Sequence, residues 1–593
     1  MKHDGQTTAN PKIVTRLMFR LLPIQVLLAV VGSVNAIISS YFASNYIGIE
    51  AMSAVGLYAP INSLVFAAST MLAGGSAILC GRYVGRNEHD KVRNIFSLNL
   101  LLAALTAAVI IAAMLILGLF DLTGFFTRDG AVRPLFNRYL ITQSLSILPL
   151  LLGNQMPNYL AMENRQNRTM AASLLYIATN LALNLLFLRA LRMGIVGLSL
   201  ASAMGLWVFF GVQAELFVRG KSHYRLGFRG LQWSESGQIV QIGLPGAASY
   251  GYQTLRGLIV NALLQLYIGS VAVSAFAAFD SVMRIFWAFL VGMVAVSRLM
   301  ISLSVGEEDR QTLTDVMRVM FKGYLPVMCA VLVTIMLCAE PFTRLFFHDP
   351  TEPVYKMTIV GFRILPLCMP LSVITQHFVC YGQASGKRVL VNLLALLDGV
   401  ACVAVFTALL IPWLMIKSVY IANILNGVVC CLVILGYACV RGRRFPRNME
   451  ELMVIPEDFG VSEDARLDIS VRSVDEVVKV AEQVGAFCQR RGIDARRGFL
   501  ASLCLEEMAG NIVAHGFTKD KKRHSIDIRV AHKGDDVILR IRDDCVPFDP
   551  QTRKAIFDPE DILKNVGIRM VYGIARDIDY QNIMGLNVLT IKI

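Results

Sequence analysis

Twelve apolar runs, each about 20 residues or longer, decide most of what this chain can become. They lie at 21–42, 54–80, 95–120, 136–160, 169–188, 194–217, 239–268, 274–303, 320–339, 357–381, 389–411 and 418–440. A helix rises about 1.5 Å per residue, so roughly 20 apolar residues cross a hydrocarbon layer ~30 Å thick. Only 17% of the 593 residues are charged, against about 25% in soluble domains. The expected fold class is a polytopic α-helical membrane protein of about twelve spans, with the lipid bilayer as a partner.

Charge orients the spans. Lys12, Arg16 and Arg20 precede the first run, and Arg82, Arg86, Lys91 and Arg93 follow the second. Arg219, Lys221, Arg225 and Arg229 follow the sixth, and Arg441, Arg443, Arg444 and Arg447 follow the last. All fall on one side, with Arg189 and Arg192 as exceptions. The positive-inside rule makes that side cytoplasmic. Both termini are then cytoplasmic, and the expected location is a bacterial inner membrane. The first run is too long for a cleavable signal peptide and reads as a retained span. The net charge of +13 follows from this topology. No nucleic acid is expected as a partner, since no basic cluster is interleaved with exposed aromatics. The 12 cysteines form no CxxC pair, which argues against a zinc or redox motif.

The runs repeat. Leu22-Pro23 recurs as Leu244-Pro245, Ala54 as Ala275, and Gly85-Arg86-Asn87-Glu88 as Gly306-Glu307-Glu308-Asp309, at offsets of 222, 221 and 221. Two parallel six-helix halves fit this spacing, and such folds rock one half against the other around a central site. The expected organisation is an N-lobe at 12–217, a cytoplasmic loop at 218–238, a C-lobe at 239–440, a linker at 441–465 and a separate domain at 466–593. The last 128 residues suffice for one compact domain. Their pattern predicts α/β structure: strands at 466–471, 524–532, 535–542 and 587–593, and helices at 475–491, 494–517 and 565–577.

The repeat, its two Gly-led loops, Met193-Gly194-Ile195-Val196-Gly197-Leu198-Ser199-Leu200-Ala201, Ala275-Phe276-Ala277-Ala278 and Gly382-Gln383-Ala384-Ser385-Gly386 resemble the multidrug and toxic compound extrusion (MATE) transporters. The resemblance covers roughly residues 12–440. It implies a secondary-active antiporter, in which an inward cation drives an amphipathic or cationic small molecule outward. Such coupling uses intramembrane carboxylates, whose pKa rises in low dielectric. Three of the family's acidic positions are altered here. The span-one aspartate falls at Ser39, the span-five pair is Asn180 and Asn184, and the span-seven glutamate falls near Gln253. The ionisable groups left within spans are Arg256, Asp280, Arg284, Arg363 and Asp398. Asp280 and Arg284 share a helix face, so a structural ion pair of Asp280 with Arg284 or Arg256 is one reading. A relocated coupling or substrate site in the second half is the other. Asp398 is its best candidate, having no basic residue within a helical turn.

In the terminal domain, Glu507, Asn511 and His515 are spaced by four and share one helix face. A carboxylate there can polarise a hydroxyl or water, and an Asn oxygen can hold Mg²⁺. Asp543-Asp544-Cys545-Val546-Pro547-Phe548-Asp549-Pro550, Asn565-Val566-Gly567-Ile568-Arg569-Met570-Val571 and Leu586-Asn587-Val588-Leu589-Thr590 follow in order. Together these segments resemble the histidine-kinase-like ATP-binding fold, in the branch of anti-sigma-factor serine kinases. The resemblance implies ATP and Mg²⁺ as cofactors, Glu507 as catalytic, Asn511 as the metal ligand, Asp543 as acceptor of the adenine amino group, Gly567 at the phosphates and Thr590 in support of the adenine pocket. Cys545 and Asn565 stand where glycines are common, and Gly510 where Thr is. A cytoplasmic anti-sigma-antagonist-like protein is the partner that branch implies. No GxxxxGK[ST] loop occurs, so ATP is expected to regulate transport rather than drive it. A membrane receptor with a serine-kinase output is the rival reading, and a lipid or oligosaccharide flippase, kept open by Arg256 and Arg363, is a third.

Overall fold

The structure, a computed structural model, describes residues 12–593 apart from 128, 220, 221, 223, 225, 228–230, 462, 472, 473, 518–523, 525 and 551–565. Asn565 lies outside the described residues. Ser39 lies within the first helix, but its side chain is outside the description.

The first half of the membrane region is built from α1 (Lys12–Tyr46), α2 (Ile49–Leu57), α3 (Ala59–Gly85), α4 (His89–Leu119), α5 (Val132–Gln143), α6 (Ile147–Met162), α7 (Gln166–Asn184) and α8 (Gly194–Val218). The second comprises α9 (Ser234–Tyr267), α10 (Ser270–Gly306), α11 (Arg310–Val319), α12 (Leu325–Leu337), α13 (Ala339–Arg344), α14 (Pro353–Ile364), α15 (Met369–Ser385), α16 (Arg388–Leu396), α17 (Cys402–Leu414) and α18 (Lys417–Gly442). Among the described residues, 11 helical stretches are long and apolar enough to cross a membrane. The expected seventh run is the exception. It forms the 34-residue α9, long enough to span, but Gln238, Gln241, Gln253, Thr254 and Arg256 make it too polar to qualify by composition. Pro23 and Pro245, the repeated prolines, both lie inside helices, α1 and α9.

The halves meet through α3 against α9 and through α1 and α3 against α10. Their backbones approach most closely toward the end of the bundle carrying Lys12, Gly85 and Gly306, here called the basic end. A Cβ on Gly306 would collide with the Arg82 backbone, and one on Gly243 with the Met71 backbone, so only glycine permits this contact. Polar bonds reinforce it. Arg82 donates to the carbonyls of Gln383, at 3.1 Å, and Ala384. The Tyr83 hydroxyl donates to Glu235 at 3.0 Å, and that of Tyr324 to the Met18 carbonyl at 3.3 Å.

A short linker helix, α19 (Met449–Met453), leads to the terminal domain. There β1 (Arg466–Val471), β2 (Ile526–Lys533), β3 (Asp536–Asp543), β4 (Asp577–Ile583) and β5 (Leu586–Lys592) form one sheet of order β1-β2-β3-β5-β4, every pairing antiparallel. Helices α20 (Val474–Arg490), α21 (Ala495–Asn511) and α22 (Val566–Ile574) cover one face. Period-two alternation sends Val537, Leu539 and Ile541 into that helical core. β4 corrects the expected helix through 577. It pairs with β5 across a two-residue turn in which Met584 and Gly585 both have positive φ, 54° and 82°, the hairpin geometry that matches strand twist.

The other face of the sheet carries Arg529, Arg540 and Arg542, and it seats on the basic end of the membrane region. Arg542 pairs with Glu307 and, at 3.0 Å, with Asp309. Arg529 pairs with Asp309 and Lys533 with Glu308. Asp309 also caps α11, accepting from the Thr312 backbone N–H at 2.8 Å. Burial pushes its carboxyl upward, but Arg529 and Arg542 outweigh that and hold it well below the usual carboxylate range. Across the sheet, Asp579 accepts from His89 at 3.1 Å and Gln581 donates to Asn87 at 2.8 Å. The Met584 N–H donates to the Met162 carbonyl at 2.9 Å, and Ile583, Met584 and Leu586 join the apolar core of the membrane region.

Candidate transport and nucleotide sites

The expected second-half site is built on a π-helical turn, Leu397–Ala401, between α16 and α17. Such turns loosen the helical ladder and recur at functional positions. Here the turn presents Asp398 to three neighbouring helices. Gln376 of α15 donates to one carboxylate oxygen at 2.9 Å, and Asn426 of α18 to the other at 2.8 Å. Arg256 of α9 reaches the backbone carbonyl of Asp398 at 3.4 Å, not its carboxylate. Tyr252 packs so closely that a Cβ on Gly399 would collide with the Tyr252 Cβ. The carboxylate thus bonds two neutral donors and makes no ion pair among the described residues, with Arg256 on its backbone carbonyl. A charge at membrane depth is costly and is ordinarily met by such partners.

The other expected membrane residues separate into two groups. Asp280 and Arg284 form an i,i+4 pair at 2.9 Å, with side chains 41% and 67% exposed, the structural-pair reading with Arg284 as partner. Gln253 is exposed on α9. Arg363 lies 3.6 Å from Glu340. In the first half, Asn180 and Asn184 are fully buried on α7. Asn184 donates to the Asn180 carbonyl at 2.9 Å and to its side-chain oxygen. The side-chain oxygen of Asn184 itself has no partner among the described residues. Sequence reasoning named neither Gln376 nor Asn426, since nothing local marks an amide contributed by the helix before or after. It also passed over Arg298, a lone arginine within an apolar run of α10, beside Gly74 of α3, whose Nε is buried without a partner among the described residues.

In the terminal domain, α21 carries Glu507 and Asn511, both half-buried, and runs into a π-turn, Ile512–Gly516, that carries His515. The Glu507 carboxylate lies against Gly567, near the N-terminus of α22, where any Cβ would collide with it. Helix N-termini attract anions, so glycine there leaves the backbone open to a carboxylate or a phosphate. Gly516 abuts Cys545, bringing the π-turn to the loop after β3. Asp543, 3% exposed, ends β3. One of its oxygens accepts from the Asn587 side chain at 2.7 Å and from the Cys545 N–H at 2.9 Å. Burial pushes its carboxyl upward, and these donors oppose the shift. Asn587 in turn accepts from the Tyr580 hydroxyl at 2.8 Å, which accepts from the Phe548 N–H at 3.0 Å. The loop is therefore tied to β4 and β5 through one amide.

Thr590 is not part of this arrangement. It pairs with Arg540 in the sheet, three residues from the register of Asp543 with Asn587. An odd offset along a strand reverses the face. Thr590 consequently faces the membrane region, accepting from Arg540 at 3.4 Å, and Asn587 is the β5 residue on Asp543. The side chain adjacent to Gly567 is that of Glu507, so all four expected segments converge, the last through Asn587 rather than Thr590.

The MatE family matches residues 23–186 and 245–409, more than half of the chain, and the histidine kinase-like ATPase domain matches residues 471–593. No curated protein sequence matches. Solved structures with the same fold include a MATE in complex with MaL6, at 20% identity and a TM-score of 0.68, covering 75% of this chain and 98% of that one. An outward-facing multidrug resistance MATE family transporter of the MOP superfamily gives 19% identity and 0.67, covering 76% and 99%. A MOP superfamily transporter from Pyrococcus furiosus, for which a reverse polarity of the binding pocket suggests a different function, gives 19% and 0.66, covering 74% and 100%. The duplicated helical bundle, its glycine-packed basic end and the family match lead to one assignment: the chain belongs to the MatE family and carries a histidine kinase-like ATPase domain fused at its C-terminus.

Proposed function

We propose that the protein is a secondary-active exporter of amphipathic or cationic small molecules, coupled to an inward cation through Asp398 in its second half, and regulated by ATP at its terminal domain. The observation that carries this reading is the Asp398 carboxylate between Gln376 and Asn426, in a region whose first-half counterparts are amides. A carboxylate among neutral donors can release or accept a proton, or hold sodium, as access alternates. The lobes divide at 218–238, the linker runs over 441–465, and the basic end faces the cytoplasm of a bacterial inner membrane, as the loop charges direct.

The terminal site fits ATP with Mg²⁺ in its donor set. Asp543 would accept the adenine amino group, the N-terminus of α22 at Gly567 would take phosphate oxygens, and Asn511 would hold Mg²⁺ with His515 beside it. The bound nucleotide would supply a transferable phosphoryl group, and Glu507 would orient or deprotonate its acceptor. Asn587 holds Asp543 in place. Replacing it by Ala removes a hydrogen bond to a charged group, worth about 1.5–3 kcal/mol, so nucleotide affinity falls about tenfold in Asn587→Ala and by less than about twofold in Thr590→Ala, read by titration with a fluorescent ATP analogue.

The rival is a ligand receptor whose domain phosphorylates a small anti-sigma-antagonist-like protein. The amides at Asn180 and Asn184 favour it, since they remove acids from the first half. Cationic-dye efflux from cells expressing the full chain separates the two. Efflux lost in Asp398→Asn and retained in Asn511→Ala is the expected result. Unchanged dye content with every form, wild type included, would favour the receptor.

A further inference from the structure

We propose that the terminal domain is a nucleotide-released clamp that holds the two membrane halves together at the basic end. The inference deepens the reading of that domain as an ATP site and rests on it. Its basis is where the sheet is attached. The loops Gly85–Glu88 and Gly306–Asp309 are repeats of one another, one in each half. The same sheet grips both. β2 and β3 hold the second-half loop through Arg529 and Arg542 on Glu307 and Asp309. β4 holds the first-half side through Asp579 on His89 and Gln581 on Asn87, and its turn is bonded to Met162 at the end of α6.

Rocking motions that open the basic end must separate these two loops. A hydrogen-bonded sheet with β5 between its two grips cannot stretch to follow them, so opening requires one grip to let go. The site that decides this is the loop after Asp543. Asp544 pairs with Arg16 of α1 at 2.9 Å and with His524 at 3.0 Å. Three bonds hold the loop in this position: the Cys545 N–H to Asp543, the Asn587 side chain to the Cys545 carbonyl, and the Phe548 N–H to the Tyr580 hydroxyl. An adenine amino group that takes the Asp543 oxygen shared by the Cys545 N–H and the Asn587 side chain competes with both donors, loosens the loop and draws Asp544 away from Arg16. The first-half grip then loses one of these four attachments, and the basic end opens more readily.

The test is hydrogen exchange on the full chain in lipid nanodiscs, followed in peptides covering 78–92 and 300–312, with and without a non-hydrolysable ATP analogue and Mg²⁺. Nucleotide binding is measured separately with a fluorescent analogue. Exchange in both segments should rise several-fold with nucleotide. It should already be raised without nucleotide in Arg542→Ala and in Asp579→Asn. Asp579→Asn alters a partly exposed pair, so it tests the clamp even where Arg542→Ala folds poorly. Bound nucleotide with unchanged or slower exchange would overturn the clamp and leave the ATP site standing. Absence of nucleotide binding would overturn the site reading and the gate with it. Exchange in Asp579→Asn equal to wild type would overturn the first-half grip.

Discussion

The fifth and eleventh spans occupy the same place in the two halves of a repeated fold, yet they hold different chemistry. In α7, Asn180 and Asn184 are fully buried and bond to each other. In the equivalent helix, broken by the π-turn 397–401, Asp398 stands between Gln376 and Asn426. Both sites are lined with amides, but one alone has a charge to gain or lose. An amide cannot exchange a proton and binds a cation only as a neutral ligand, whereas a carboxylate at membrane depth responds to both. The two halves share a shape, but of these two sites only the second-half one carries a carboxylate.

The comparison makes ordered predictions. The largest effect belongs to Asp398→Asn, which keeps the shape of the side chain and removes its charge. Gradient-driven transport should fall more than about tenfold while expression and folding persist, because the neutral amide ends the cost of a charge at depth. Next, Gln376→Ala and Asn426→Ala each remove a hydrogen bond to a charged acceptor, worth about 1.5–3 kcal/mol. Each should cut transport about tenfold and shift its pH midpoint, measured in everted vesicles across pH 5–9. A smaller effect is expected from Asn184→Asp, which restores an acid to the first half. Rates should change about twofold to threefold, with a second pH inflection that wild type lacks. An unaltered pH profile would mean that the two halves differ in more than this charge. The smallest effect is expected from Asn180→Ala. Transport stays within about twofold, and thermal stability drops by about 1 kcal/mol for one lost neutral hydrogen bond.

Much of the membrane fold was legible because apolar length and a constant repeat offset are properties of sequence alone. The offset of 221 between Gly85 and Gly306 anticipates two halves, and those glycines meet where the halves touch. α9 was read as a span from its apolar length, but its polar residues dilute the run, and its length and place in the repeat are what support that reading. The Asp398 site was only half legible. Its acid stands out in an apolar stretch, but the partners Gln376 and Asn426 come from other helices and are ordinary amides by local criteria. The sheet domain shows the same limit. Strand β4 was missed because Asp577-Ile578-Asp579 continues the polar tail of a short helix, with Gly585 alone marking its turn. Thr590 was expected at the adenine pocket and Asn587 was not, because a motif position does not state the strand's register, and a shift of three residues exchanges one face for the other. The arginines of β2 and β3 alternate as a polar face should; nothing in that pattern says that another part of the chain covers it.

The central claim is that coupling runs through the second half alone. Its most direct test is dye transport by purified protein in proteoliposomes, driven in turn by an imposed proton gradient and an imposed sodium gradient, for wild type, Asp398→Asn and the double variant Asn180→Ala/Asn184→Ala. The account predicts that one of the two gradients drives wild type and the double asparagine variant at comparable rates, and that neither gradient drives Asp398→Asn. Gradient-driven transport that survives in Asp398→Asn and vanishes in the double asparagine variant would contradict it.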